Sequence, residues 1–287
     1  MIFNLGGPAP GNPVFSASSG SVPFTDEGGG KFTITLRSDA SFTVDRAALV
    51  DVYVRGGGGG GAGGYAQTVK RVLLTPGVTY KATVGKGGTC QQTTNGAWGA
   101  GTQGGTSKLV GGSTTIASAS GGGGGRRSPK GWSSGGNGAS GGGAGANITG
   151  TSLEAAHPAG NGGSHGTSGT GYADPYGSPG VGNGTSGYAF GDANFGDKKK
   201  HGAGGGGGSA TNGKRDHAPT TFAPGMGGAD GGGKGGDSGA GGNATGVGCG
   251  GGGGSSMRDV DGNQWMDTAT FKGGNGSAGA VILRSAR

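Results

Sequence analysis

The pattern G-x-S-x-G, which on a sharp strand-to-helix turn exposes a nucleophilic serine, occurs around Ser133, Ser140 and Ser164. Gly236-Asp237-Ser238-Gly239 sets a fourth serine between an acid and a glycine. Nucleophilic catalysis also needs a histidine held by a buried carboxylate. His157, His165, His201 and His217 all stand in sequence without strand or helix periodicity. Glycine supplies 83 of the 287 residues, so chance alone yields about two G-x-S-x-G matches among 25 serines. Gly228 to Gly233 followed by Lys234 mimics a phosphate-cradling loop. Gly235, however, stands where a Ser or Thr would hold magnesium, and no strand leads into the segment. Asp259, Asp261, Asn263 and Asp267 offer oxygen ligands of the kind calcium takes, but no bidentate glutamate follows them. Histidine and cysteine spacings give no zinc site. A non-enzyme with no cofactor and no metal is expected.

The aromatic and basic residues that interrupt the glycine tracts are more informative. Arg126, Arg127, Lys130 and Trp132 form one interruption; Tyr172, Tyr176, Tyr188, Phe190 and Phe195 crowd a second. Lys198, Lys199, Lys200 and His201 follow, then Lys214, Arg215, His217 and Phe222, and finally Trp265, Met266 and Phe271. Two readings stand side by side. The aromatics pin loops onto the glycine-rich body while the charges keep it solvated, or the interruptions form a recognition surface. Aromatic and arginine side chains dominate binding hot spots, and cationic clusters suit an anionic polysaccharide. On the second reading the receptor-binding candidates are Trp132, Tyr172, Tyr176, Tyr188, Phe190, Phe195, Lys198, Lys199 and Lys200. The net charge of +7 comes with no recognised nucleic-acid module, so nucleic acid is not an expected partner.

Short strands must position these residues. Residues 1–30 read as an irregular arm with Pro8, Pro10, Pro13 and Pro23. From Lys31 the period becomes two: Phe32, Ile34 and Leu36 alternate with Thr33, Thr35 and Arg37. Phe42 and Val44 continue the pattern, and Val50, Val52 and Val54 alternate with Asp51, Tyr53 and Arg55 before the first glycine run. Tyr65 to Leu74, a Thr75-Pro76-Gly77 turn and the face Val78, Tyr80, Ala82, Val84 make a strand-turn-strand unit. Weaker strands lie at 106–110 and 114–118, and a last one at Ala280 to Ser285. The expected fold is mostly β, a small antiparallel sandwich built from 31–120 plus 280–287, with almost no α-helix. The intervening 121–279 forms a glycine-rich insertion.

A structureless insertion of that length would be anomalous inside a compact domain. Polyglycine II helices would order it: extended threefold helices that rise about 3.1 Å per residue without internal hydrogen bonds. Side by side, their N–H and C=O groups pair with neighbours. Gly206, in mid-run, is expected to tolerate no side chain, whereas Ser209 sits at a tract edge. Collagen is excluded, because the runs hold consecutive glycines and not one in three. No signal-like start and no apolar run of membrane-spanning length is present in the sequence. Cys90 and Cys249 are read as two thiols, with a single bridge as the alternative.

Val50 to Arg55 leading into Gly56–Gly61, then Thr75-Pro76-Gly77-Val78-Thr79-Tyr80, Val84-Gly85-Lys86-Gly87-Gly88, and the terminal 276–283 resemble the glycine-rich domain of bacteriophage tail and fibre proteins. The resemblance covers about 31–287. In composition the insertion is also similar to the polyglycine sandwich of T-even-type phage adhesins, whose loops contact the host receptor. These resemblances imply a virion protein, a tail-fibre or tail-tip component in host attachment. Its partners would be other virion or tail proteins, through the arm or the β-domain, and a bacterial surface polysaccharide or outer-membrane protein. A homo-oligomer would fit and membrane insertion would not. The alternatives are a decorating virion protein that binds only other virion subunits, and an extracellular glycine-rich matrix protein.

Overall fold

The computed structural model describes residues 11–89, 101–127, 133–134, 136–138, 210–212, 220–222, 231–234, 241–252, 256–258 and 273–286. Its first strands are β1 (Phe15–Ser19), β2 (Phe24–Gly28), β3 (Lys31–Leu36), β4 (Ala40–Val44) and β5 (Ala48–Arg55). Then come β6 (Ala66–Leu74), β7 (Tyr80–Thr83), β8 (Ser107–Gly111) and β9 (Thr114–Ala119). Short pieces follow: β10 (Arg126–Arg127), β11 (Ser133–Ser134), β12 (Ala210–Asn212), β13 (Thr220–Phe222) and β14 (Ser256–Arg258). The last strand is β15 (Ala280–Ser285). There is no helix among the described residues.

Two five-stranded antiparallel sheets form the sandwich. Sheet one runs β1-β4-β7-β8-β9, and sheet two runs β2-β3-β15-β5-β6. The C-terminal strand β15 thus sits in mid-sheet, with Val281 opposite Leu36 on one side and Val54 on the other. The period-two residues face inward as their pattern requires. Phe32, Ile34, Leu36, Phe42, Val50, Val52, Val54, Leu74, Tyr80, Leu109, Val281 and Leu283 make one buried core. At the Thr75-Pro76-Gly77 turn, Gly77 has φ +79°, the left-handed conformation this position needs. A Cβ there meets nothing within 4 Å. Gly77→Ala should therefore cost only the backbone penalty, about 1 kcal/mol in a urea titration.

Two expectations need correction. Residues 15–28 are not an irregular arm. β1 pairs with β4, and β2 pairs with β3. Their side chains are mostly exposed, so no alternation marks them. Phe15 and Phe24 anchor them by packing on Phe32, at ring-centroid distances of 5.3 and 5.4 Å. Pro13 and Pro23 fit because both strands lie at sheet edges, where a missing N–H breaks no ladder. The second correction concerns Arg55, which alternation places on a half-exposed face and the structure buries completely.

The glycine tracts form a hydrogen-bonded lattice at one end of the sandwich. Gly56 donates to Tyr65 and Gly59 to Ala62, while Gly57 donates to Gly105 and Gly60 to Thr102. Each partner segment therefore recurs at every third residue. That is the repeat of an extended threefold helix, whereas a strand repeats at every second. The same step of three joins Gly101 and Gly104 to Gly125 and Gly122, and Gly276 and Gly279 to Gly88 and Gly85. It also joins Gly274 and Ser277 to Gly252 and Cys249. In each pair one index rises as the other falls, so neighbouring tracts run antiparallel. These are polyglycine II contacts.

The sequence reading confined this scaffold to 121–279, but its centre is Gly56–Gly61, the direct continuation of β5. Hydrogen bonds join that tract to Ala62, Tyr65, Gly88, Thr102, Gly105, Gly122, Gly251 and Ser277. Of the insertion, residues 121–125, 136–138, 231–234, 241–252 and 273–279 join the lattice. Gly206 and Ser209 lie outside the described residues. Glycine is required inside: a Cβ on Gly57, Gly58 or Gly59 would fall on the carbonyl of Lys86, Cys249 or Gly123. With tracts this close, the N–H groups of Gly56, Gly57, Gly58, Gly59 and Gly60 each reach a carbonyl on a neighbouring segment.

Candidate functional site

All nine receptor-binding candidates, Trp132, Tyr172, Tyr176, Tyr188, Phe190, Phe195, Lys198, Lys199 and Lys200, lie outside the described residues. So do Cys90 and the Asp259–Asp267 cluster. What the structure does fix is where the described residues that border these segments lie. Next to the sandwich, Gly56 is level with Tyr65 and Gly85 with Gly279. At the opposite end Thr89 accepts from Thr102, Gly125 from Gly101, Lys234 from Gly242 and Gly252 from Gly274. Thr89, Gly101, Gly125, Lys234, Gly242, Gly252 and Gly274 thus lie at the lattice end farthest from the sandwich, and in the sequence they border the segments 90–100, 126–135, 235–240 and 253–272. Those segments contain Trp98, Trp132 and Trp265, which are the three tryptophans of the chain.

A second feature lies on the outer face of sheet two. Glu27, Lys31, Asp51, Tyr53, Lys70, Arg71, Arg284 and Ser285 line a recess of about 500 Å³. A bulge in β5–β6 builds its floor. Val50 pairs with Val72 and Val52 with Val69, so Lys70 and Arg71 together oppose Asp51. Consecutive residues normally point to opposite faces; here both line the recess. Arg71 is held at φ +56°, a region that L-residues seldom enter. Asp51 holds it there, accepting from the Arg71 backbone N–H at 2.9 Å and from Lys70 Nζ at 3.0 Å.

Lys70 also donates to the Tyr53 hydroxyl at 2.9 Å, and its ammonium lies 4.9 Å from the Tyr53 ring centroid. Burial alone would pull the Lys70 ammonium down. The hydrogen bonds to Tyr53 and Asp51 outweigh it and hold the group above the ordinary lysine range. On the far wall Glu27 accepts from Thr33 and pairs with Arg284 at 3.7 Å. Four cations thus surround two carboxylates. Sequence reasoning placed Asp51 and Tyr53 on the polar side of one strand and Thr33 on that of another, but missed the site. No local signal pairs β5 with β15 or places a bulge at Lys70-Arg71.

Arg55 is buried where the lattice joins the sandwich, with Cys249 of the lattice nearby. The Arg55 Nη1 donates to the Gly64 carbonyl at 2.9 Å, and burial lowers its pKa to about 10, an effect that the nearby Cys249 partly opposes. Cys249 is fully buried, and its Sγ donates to the Val247 carbonyl at 3.7 Å. Val247, with Ala280 and Ile282, packs on Tyr53 to close this face. Among the described residues no group of His, Cys, Asp and Glu side chains could hold a metal ion, and no helix is long and apolar enough to cross a membrane.

One family, described as the glycine-rich domain, matches residues 47–286. The chain belongs to the glycine-rich domain family. No curated protein matches it.

Proposed function

We propose that this member of the glycine-rich domain family is a non-enzymatic virion protein of a tailed bacteriophage, a tail-fibre or tail-tip component that attaches to the bacterial surface. The observation that carries the reading is that the described residues bordering 90–100, 126–135, 235–240 and 253–272 all lie at one end of the lattice. Lattice glycines have no side chains with which to recognise anything. Recognition would therefore fall to the joining segments, whose bordering residues a closely hydrogen-bonded scaffold holds in place. The three tryptophans belong to those segments, and tryptophan is the residue most enriched in binding hot spots. The sandwich, at the opposite end, would face the virion.

The decorating-protein reading rests on another observation. The edge strands β1 and β2 leave Phe24 at 39% exposure, a surface suited to other virion subunits or a second copy. Two measurements on one set of variants separate the readings. The purified chain should bind host cells, and alanine at Trp98, Trp132 and Trp265 should abolish adsorption with an unchanged melting temperature. Alanine at Tyr172, Tyr176 and Tyr188 should act in the same direction. Unchanged adsorption with a lowered melting temperature would assign the aromatics to pinning and reject the attachment role.

A further inference from the structure

We infer that the recess on the outer face of sheet two binds the oxyanion group, carboxylate or phosphate ester, of an acidic glycan. Lys31, Lys70, Arg71 and Arg284 face one concavity whose carboxylates are Glu27 and Asp51, an excess of two positive charges. Both carboxylates are already engaged in the wall. Asp51 accepts from the Arg71 backbone N–H and Lys70, and Glu27 from Thr33 beside Arg284. They act as struts that hold the cations in place, the preorganisation that reduces the cost of binding.

Backbone strain points the same way. Arg71 occupies φ +56°, where glycine would sit at no cost, and the bulge that requires it sets two cations side by side. A strained residue at a concave, charged surface is a signature of function. Arginine presents a planar fork matched to carboxylate and phosphate oxygens. Tyr53 and Ser285 add hydroxyl groups to the lining, partners for sugar hydroxyls. The volume of about 500 Å³ lies within the range of small-ligand sites, which fits a sugar unit and not a duplex or a protein surface.

The test uses the purified full chain and three probes in titration calorimetry: a hexuronate oligosaccharide, a glycosyl phosphate and a neutral oligosaccharide of equal length. Arg71→Gly removes one cation while giving the backbone the residue its φ favours, so its melting temperature should not fall. At least one anionic probe should bind at millimolar concentration or tighter, and the neutral one should not. Arg71→Gly and Lys31→Gln should each weaken binding about tenfold or more, the loss of one charge-assisted hydrogen bond. The tighter of the two anionic probes identifies the source of the oxyanion. The inference is overturned if neither anion binds, if the neutral sugar binds equally well, or if both variants keep the wild-type affinity. It is independent of the attachment reading, because adsorption through the tryptophan-bearing segments is scored on different residues.

Discussion

Gly58→Val should destabilise the protein by more than about 3 kcal/mol, beyond the usual range for an over-packed core. The new Cβ would fall on the Cys249 carbonyl, and backbone cannot rotate aside as a side chain would. Gly58 also donates to Ser277 at 2.8 Å and accepts from Gly88 at 2.7 Å. Relieving the clash by moving the tract breaks both bonds and disturbs those of Gly57 and Gly60 to the 102–105 segment. Each buried N–H left without an acceptor adds its own desolvation cost, about 1–3 kcal/mol. The matching control is Gly11→Val, where a Cβ meets nothing within 4 Å; its effect should stay within about 0.5 kcal/mol. Urea titrations of the two variants decide the matter. Equal midpoints would mean that the tracts are not packed backbone to backbone.

Phe42→Ala should cost about 3–5 kcal/mol, as deletion of a buried ring does elsewhere. Phe42 is fully buried on β4 and joins the two halves of the aromatic row. Its ring lies 5.8 Å from Phe15 and 5.5 Å from Tyr80, stacked on the latter. The rigid pleat around it leaves a cavity that neighbours cannot fill without moving β1. Because β1 is an edge strand held mainly by Phe15, its amides should lose hydrogen-exchange protection first. Uniform loss of protection across both sheets would instead show that β1 is held by other contacts. The lattice is distant from this change, so the amides of Gly57 and Gly60 should remain protected until global unfolding.

The β-core was legible because its signal is local. Alternation of Phe32, Ile34 and Leu36 or of Val50, Val52 and Val54 needs only a pleated chain with one wet face. The turn at Pro76-Gly77 was legible for the same reason, since φ at each residue is set by the residue itself. β1 and β2 were not, because exposed edge strands carry no period and are fixed by what they pair with. The candidate site divides in the same way. The aromatic and basic interruptions could be read directly, but the nine receptor-binding candidates among them fall outside the described residues. The recess was hidden, since its cations come from β3, β6 and β15 and are neighbours only through the pairing register.

By itself, then, the sequence determined that the protein has a two-sided apolar β-core and that its glycine runs can order only by packing backbone against backbone. Runs of residues without Cβ atoms, among 83 glycines in 287, leave no other contact to make. Only the tertiary structure decided that Gly56–Gly61 is the centre of that packing, that Arg55 is buried, and that Lys70 and Arg71 share a face. Glycine tracts are interchangeable as sequence, because none has a side chain to select a neighbour. Their order comes from the strands that feed them: β5, β7, β8, β9 and β15 deliver 56–61, 85–89, 101–105, 121–125 and 273–279 side by side. Sheet registers that join residues more than 200 positions apart, such as Val281 with Val54, therefore set which tracts meet.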